Sequence, residues 1–191
     1  MRRKNEVIIA EVCAQISQSN SQAARGMLMR EYPYRRVTSN NRKYTEREAT
    51  SVFLRDGFVD RYSGAKLVFP AVLRTLSILY PDAFPFHKNW KMSECHIAYW
   101  ELFPTIDHIV PVARGGLDAE TNWITTSMLR NSAKANWLLE ELGWQLHPPG
   151  GLEQWDGLME WFMKYADSNS TILSSSYLKK WYTAAKQVSG T

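Results

Sequence analysis

Cysteine is nearly absent. Cys13 and Cys95 are the only two in 191 residues, and neither has a second thiol close by. That excludes a disulfide-stapled scaffold and any zinc site built from Cys-x-x-Cys pairs. No apolar run approaches the roughly 18 residues that a membrane helix needs, so no membrane partner is expected. The start, Met1-Arg2-Arg3-Lys4-Asn5-Glu6, runs into a stretch broken by acidic and polar residues. A signal peptide is not expected from it, and with two unpaired thiols the expected compartment is the cytoplasm. Repeats, low-complexity tracts and a phosphate-binding Gly loop are missing too, which excludes solenoids and P-loop chemistry.

What is present describes a folded globule. Hydrophobic residues make up 45% and aromatics 13%, with eight tryptophans that must largely be core. The net charge is only +4, a modest signal for nucleic acid. Its distribution is more informative. Residues 1–50 hold ten Lys or Arg against five Glu, whereas residues 51–191 hold thirteen against fourteen Asp or Glu. The densest basic stretch carries Arg35, Arg36, Arg42 and Lys43 among turn-forming Ser and Asn. Its cations suit phosphates and its Asn side chains could read base edges; a plain solvated loop is the alternative.

Local signals set the expected elements. Val7, Ile8, Val12 and Ile16 form an apolar stripe, the run Ser17 to Ser21 breaks it, and a second short helix covers 22–30. Thr45-x-x-Glu48 has the form of a capping box and opens a helix to about Asp56. A turn at Asp60 to Gly64 follows. Pro70 then opens a helix to about Tyr80, and Ser93 is read as the cap of a helix over 94–103. After the firm break at Pro148-Pro149-Gly150-Gly151, amphipathic helices are expected over 153–166 and 177–188, joined by a serine-rich linker. Trp144 to His147 reads as a short strand. His87, His96 and His147 lack a second ligand at credible spacing and read as structural.

The chemistry concentrates between Thr105 and Lys134. A β-branched run ends in Asp107-His108, Gly115-Gly116 forms a turn, and Trp123 to Thr126 reads as a second strand. Ser127 caps a helix expected over 128–141. Asn131 and Lys134, three apart, share one face of it. Asp107 is a hard oxygen ligand suited to Mg²⁺, and Asn131 can add a neutral amide oxygen. His108 is the side chain best suited to act as a general base near neutrality. Taken singly, Asn122 is a turn residue and Asn131 a solvated helix position. Adjacent strand residues also face opposite ways, so Asp107 and His108 converge only where the strand ends or twists.

In this order and spacing the segment resembles the HNH, or ββα-metal, endonuclease motif. Fourteen residues from His108 to Asn122 and nine from Asn122 to Asn131 resemble the intervals in the HNH domains of RNA-guided CRISPR effectors. The resemblance covers about thirty residues. It implies His108 as general base, Asp107 and Asn131 as metal ligands, and Asn122 as a loop-bracing residue; Lys134, one helical turn from Asn131, is expected to contact the phosphate or brace Asp107. Many relatives carry two Cys-x-x-Cys pairs around the motif that bind a structural zinc. Those are absent here, so no structural zinc is expected. The turn at Asp60 to Gly64 stands where an upstream zinc knuckle often sits, and the C-terminal helices are expected to pack over the core in its place. Asn131, where many members have His, favours Mg²⁺, with Mn²⁺ able to substitute.

The expected fold is therefore α+β and mainly helical, built around a small ββα-metal core. Residues 1–60 are expected to form a basic helical extension, 61–145 the nuclease core and 146–191 a C-terminal helical extension. The expected activity is Mg²⁺-dependent hydrolysis of phosphodiester bonds in DNA, double-stranded by preference, in a restriction or defence setting. Arg35, Arg36, Arg42, Lys43, Arg114 and Arg130 are the candidate DNA contacts. A homodimer is left open. The alternatives are a non-cleaving nucleic-acid-binding module and a nuclease subunit of a phage packaging or defence assembly.

Overall fold

The computed structural model describes residues 3–34 and 44–190, so Arg35, Arg36, Arg42 and Lys43 lie outside the described residues. The chain divides into two compact units, Met1–Asn40 and Asn41–Thr191. This division differs from the expected boundaries at 60 and 145. The helix after Thr45 and both C-terminal helices share one apolar core with the strands and cannot be separated from it.

In the first unit, α1 (Asn5–Ser17) and α2 (Ser21–Glu31) pack as a hairpin, burying Ile8 and Val12 against Ala24. Arg3 bridges Glu11 and Glu31.

The second unit begins with α3 (Glu46–Arg55). The capping box forms as the sequence suggests. Thr45 Oγ1 accepts from Glu48 N at 3.2 Å, and the Glu48 carboxylate accepts from Thr45 N at 2.8 Å. Then come α4 (Pro70–Leu79), the single-turn α5 (Ala98–Glu101), β1 (Pro104–His108), β2 (Trp123–Ser127), α6 (Met128–Lys134), the short α7 (Leu139–Leu142), α8 (Met159–Ser168) and α9 (Ser176–Val188). The strands are antiparallel, with Thr105 opposite Thr126 and His108 opposite Trp123. Helix α9 packs on α3 and α4, and α3 in turn lies on both strands. Phe53, Phe58, Phe69, Phe162, Leu178, Trp181 and Ile106 meet in one buried cluster. The architecture is α+β and mainly helical, and no helix among the described residues is long and apolar enough to cross a membrane.

Four expected elements differ. The helix over 94–103 shrinks to α5, because Cys95 is extended and His96 N donates to Pro85 O, pinning the chain before the helix can start. The motif helix stops at Lys134 rather than reaching Glu141. Ala135 turns to φ +46°, a conformation rare for a residue with a Cβ, so nothing in the residue type announces the stop. Residues 144–147 form no strand, although His147 N does donate to Arg61 O. The helix from 153 starts only at Met159, after Asp156 takes N–H groups from Leu158 and Glu160.

Candidate functional site

Two buried aspartates from outside the motif hold the β-hairpin in place. Asp56, at the end of α3, accepts from Thr125 N at 2.7 Å and pairs with Arg61 at 3.1 Å. Asp60, in the following turn, accepts from Ser127 N and Thr126 Oγ1, both at 3.0 Å, and from Tyr62 N at 2.9 Å. Ser127 is the N-cap of α6, its side chain accepting from Arg130 N at 3.1 Å. The Asp60 carboxylate therefore ties the upstream turn to the junction of β2 and α6. Both carboxylates are 1% exposed and fully engaged, as buried charges must be. The C-terminal helices support this unit less directly, through α3 and α4.

On one side of β1, Asp107 is held from two directions. Its Oδ2 accepts from the Tyr62 hydroxyl at 2.8 Å and lies 3.0 Å from Lys134 Nζ. Lys134 is fully buried and also donates to His108 O at 2.7 Å. It is the partner that Asp107 and His108 share, acting on the carboxylate of one and the carbonyl of the other. The side chain thus sits against Asp107, inside the core and away from solvent. Burial, followed by the Asp107 charge, pushes the Tyr62 phenol well above its ordinary range, so it stays protonated and donates.

Asn131 reaches the same strand from α6. Its Nδ2 donates to Thr105 Oγ1 at 3.0 Å and Ile106 O at 3.3 Å. A backbone carbonyl can only accept, so the nitrogen end is fixed against the strand and Oδ1 is the end turned away. Hard oxygen donors from Asp107 and Asn131 thus come from adjacent elements. Among the described residues no group of three or more His, Cys, Asp and Glu could hold a metal ion.

His108 has different partners. Its Nε2 lies 2.8 Å from Asp118 Oδ1, 3.1 Å from Trp123 Nε1 and 3.4 Å from the Tyr44 hydroxyl. Trp123 faces His108 across the hairpin, and Tyr44 packs edge-on against the indole at 4.9 Å. The alternation of a strand is visible here. Asp107 goes to Tyr62 and Lys134, and His108 goes to the aromatic pair.

Asn122 braces the connecting loop. Its Oδ1 accepts from Val110 N at 3.0 Å, and its Nδ2 donates to Val110 O at 2.9 Å and Leu117 O at 2.8 Å. The two glycines have separate reasons. Gly115 sits at φ +93°, and a Cβ on Gly116 would lie 1.8 Å from Val110 O. Of the candidate DNA contacts that are described, Arg114 pairs with Glu141 at 2.8 Å and Arg130 lies over the Trp144 ring.

Sequence reasoning missed Asp56, Asp60, Tyr62, Tyr44, Trp123 and Asp118 as individual contributors. Only Asp118 carried a usable signal, a carboxylate two residues beyond the Gly-Gly turn. Compared with known proteins, the chain matches no family model, no curated protein and no solved structure.

Proposed function

We propose that this chain is a metal-dependent endonuclease of the ββα-metal type that hydrolyses phosphodiester bonds in DNA. One observation carries the reading. The Asp107 carboxylate is fixed through Oδ2 by Tyr62 and the buried Lys134, Asn131 reaches the same strand from the following helix, and His108 is the next residue. This bracing holds the carboxylate in one orientation beside the imidazole, as a metal ligand next to a general base requires.

The donor set fits a hard divalent cation. Two oxygen donors are too few for an all-protein cage but suit Mg²⁺, which keeps several waters and takes phosphate oxygens as further ligands. Asp107 and Asn131 would hold it; the absence of thiol or multiple imidazole donors disfavours softer metals. When bound, the ion supplies stabilisation of the charge on the phosphorane and on the departing 3′-oxygen. His108 supplies the base. Its imidazole takes a proton from a water aligned with the scissile bond, the water oxygen bonds to phosphorus, and the P–O3′ bond breaks. The 3′-oxygen then takes a proton from solvent, leaving 5′-phosphate and 3′-hydroxyl ends. Lys134 keeps Asp107 and the His108 backbone in register throughout.

The test is nicking of supercoiled DNA by the full chain in Mg²⁺ and in EDTA, with His108→Ala alongside. Cleavage is expected in Mg²⁺ only, and the variant should be slower by roughly 10²–10⁴-fold at nearly unchanged DNA affinity, the range for losing a positioned general base. Cleavage unaffected by EDTA, or wild-type rates in the variant, would overturn the reading.

A further inference from the structure

The atom that should receive the proton is already occupied. His108 Nε2, Trp123 Nε1 and Asp118 Oδ1 form a closed triangle, with separations of 2.8 Å for His108 to Asp118 and 3.1 Å for each of the other two. An indole N–H can only donate, so that of Trp123 points at the place where Asp118 presents a negative oxygen. The Tyr44 hydroxyl stands 3.4 Å from the same imidazole nitrogen. A phosphodiester oxygen is an anionic acceptor of the same kind and takes the same donors.

We infer that the Trp123 indole N–H and the Tyr44 hydroxyl form a seat for a phosphate oxygen of the substrate strand beside His108, and that Asp118 occupies this seat until DNA displaces it. The inference rests on the nuclease reading for the identity of the ligand, and it adds two substrate-contacting residues and an exchange step that this reading does not contain.

Three further observations support displacement over a permanent dyad. The Asp118 side chain is 45% exposed, whereas His108 is 8% exposed. A contact with so accessible a carboxylate is weak and readily exchanged. The backbone on either side of Asp118 is anchored by Asn122, which donates through Nδ2 to Leu117 O and through N to Ala119 O, both at 2.8 Å. The Asp118 side chain can therefore move while the backbone on either side of it stays anchored. Finally, an Asp118 carboxylate left in place would repel the incoming phosphate and block Nε2 from water. Displacement removes both obstacles together and frees the base only where a phosphate has arrived.

The experiment measures binding and cleavage separately. A short DNA duplex and inorganic phosphate serve as probes in EDTA, followed by the indole N–H resonances of the full chain, with the Trp123 signal assigned by its loss in Trp123→Phe. Addition of either probe should shift that signal. Asp118→Ala should tighten duplex binding about two- to fivefold, the worth of the exposed pair that DNA no longer displaces. Trp123→Phe keeps an aromatic ring at the position but removes the donor and should weaken binding about tenfold; Tyr44→Phe should weaken it in the same direction and guards against misfolding of the first variant. Mg²⁺ affinity should be unchanged in Asp118→Ala. The inference is overturned by an unchanged affinity in both aromatic variants, or by Mg²⁺ binding lost in Asp118→Ala, which would make Asp118 a ligand. Cleavage collapsing in Asp118→Ala at unchanged duplex affinity would make it an orienting partner of the imidazole and overturn the inference equally. A wild-type chain that does not cleave but shows the expected binding changes would refute the nuclease reading and leave the seat standing. Metal-dependent cleavage with no binding change would do the reverse.

Discussion

Replacing Lys134 by Met tests whether the site is organised around one buried ion pair. The side chain is fully buried, its Nζ lies 3.0 Å from Asp107 Oδ2, and it donates to His108 O at 2.7 Å. Methionine matches its length and leaves no large cavity, so the change removes the charge and its hydrogen bonds with little loss of packing. Asp107 would then be a buried carboxylate without a counter-ion, and removing one partner of such a pair costs about 3–5 kcal/mol. The Tyr62 hydroxyl still donates to Oδ2, which places the expected loss near the lower end, about 3 kcal/mol. For a domain of this size that corresponds to a fall in Tm of about 6–12 °C. The assay is thermal unfolding followed by circular dichroism in EDTA, so that no bound metal offsets the missing ammonium. The double variant Asp107→Asn with Lys134→Met removes both charges. It should regain at least half of the loss, because the uncompensated charge and not the missing contact carries the cost. A fall below about 2 °C for Lys134→Met, or additive losses in the double variant, would refute the reasoning.

Asp60→Ala leaves Ser127 N and Thr126 Oγ1 without their acceptor in a buried position and should lower stability by about 2–4 kcal/mol, measured by urea unfolding. EDTA should leave the wild-type chain folded, since Asp60 joins the turn to the hairpin by hydrogen bonds alone; a chelator-induced collapse would contradict that. Tyr62 has its pKa raised in the folded state by burial and the Asp107 charge. Its contribution is complete below the unfolded value near 10 and is lost as pH rises beyond it, so stability should fall above about pH 10 and fall less steeply in Tyr62→Phe. Equal slopes in the two proteins would remove Tyr62 from the account. Replacing Arg35, Arg36, Arg42 and Lys43 together by Ala should flatten the dependence of log K for DNA on log salt by about 2–4 if most of them touch phosphate, at about 0.9 per contact. An unchanged slope would mean that DNA is held elsewhere.

The site was legible where its residues are close in the chain and illegible where they are not. Asp107, His108, Asn122, Asn131 and Lys134 fall within 28 positions, and their spacing alone separates strand end, loop and helix face. The supports come from far away. Tyr62 reaches Asp107 across 45 positions, Asp60 reaches Ser127 across 67, and Asp56 reaches Thr125 across 69. An aspartate in a turn looks the same whether it is solvated or buried under a hairpin, so neither Asp56 nor Asp60 announces itself. Caps behaved differently, because Thr45 with Glu48 and Ser127 with Arg130 act over three residues and are fixed by local geometry. The stop of α6 at Ala135 lies between these cases. Nothing about alanine favours φ +46°, but Lys134 must turn fully into the core to reach Asp107, and the chain beyond it leaves for the Trp137 turn. The helix ends at the lysine of the ion pair, against its own propensity. The local rule is broken directly after the most buried charge of the candidate site, where a tertiary contact outweighs the intrinsic preference of the residue.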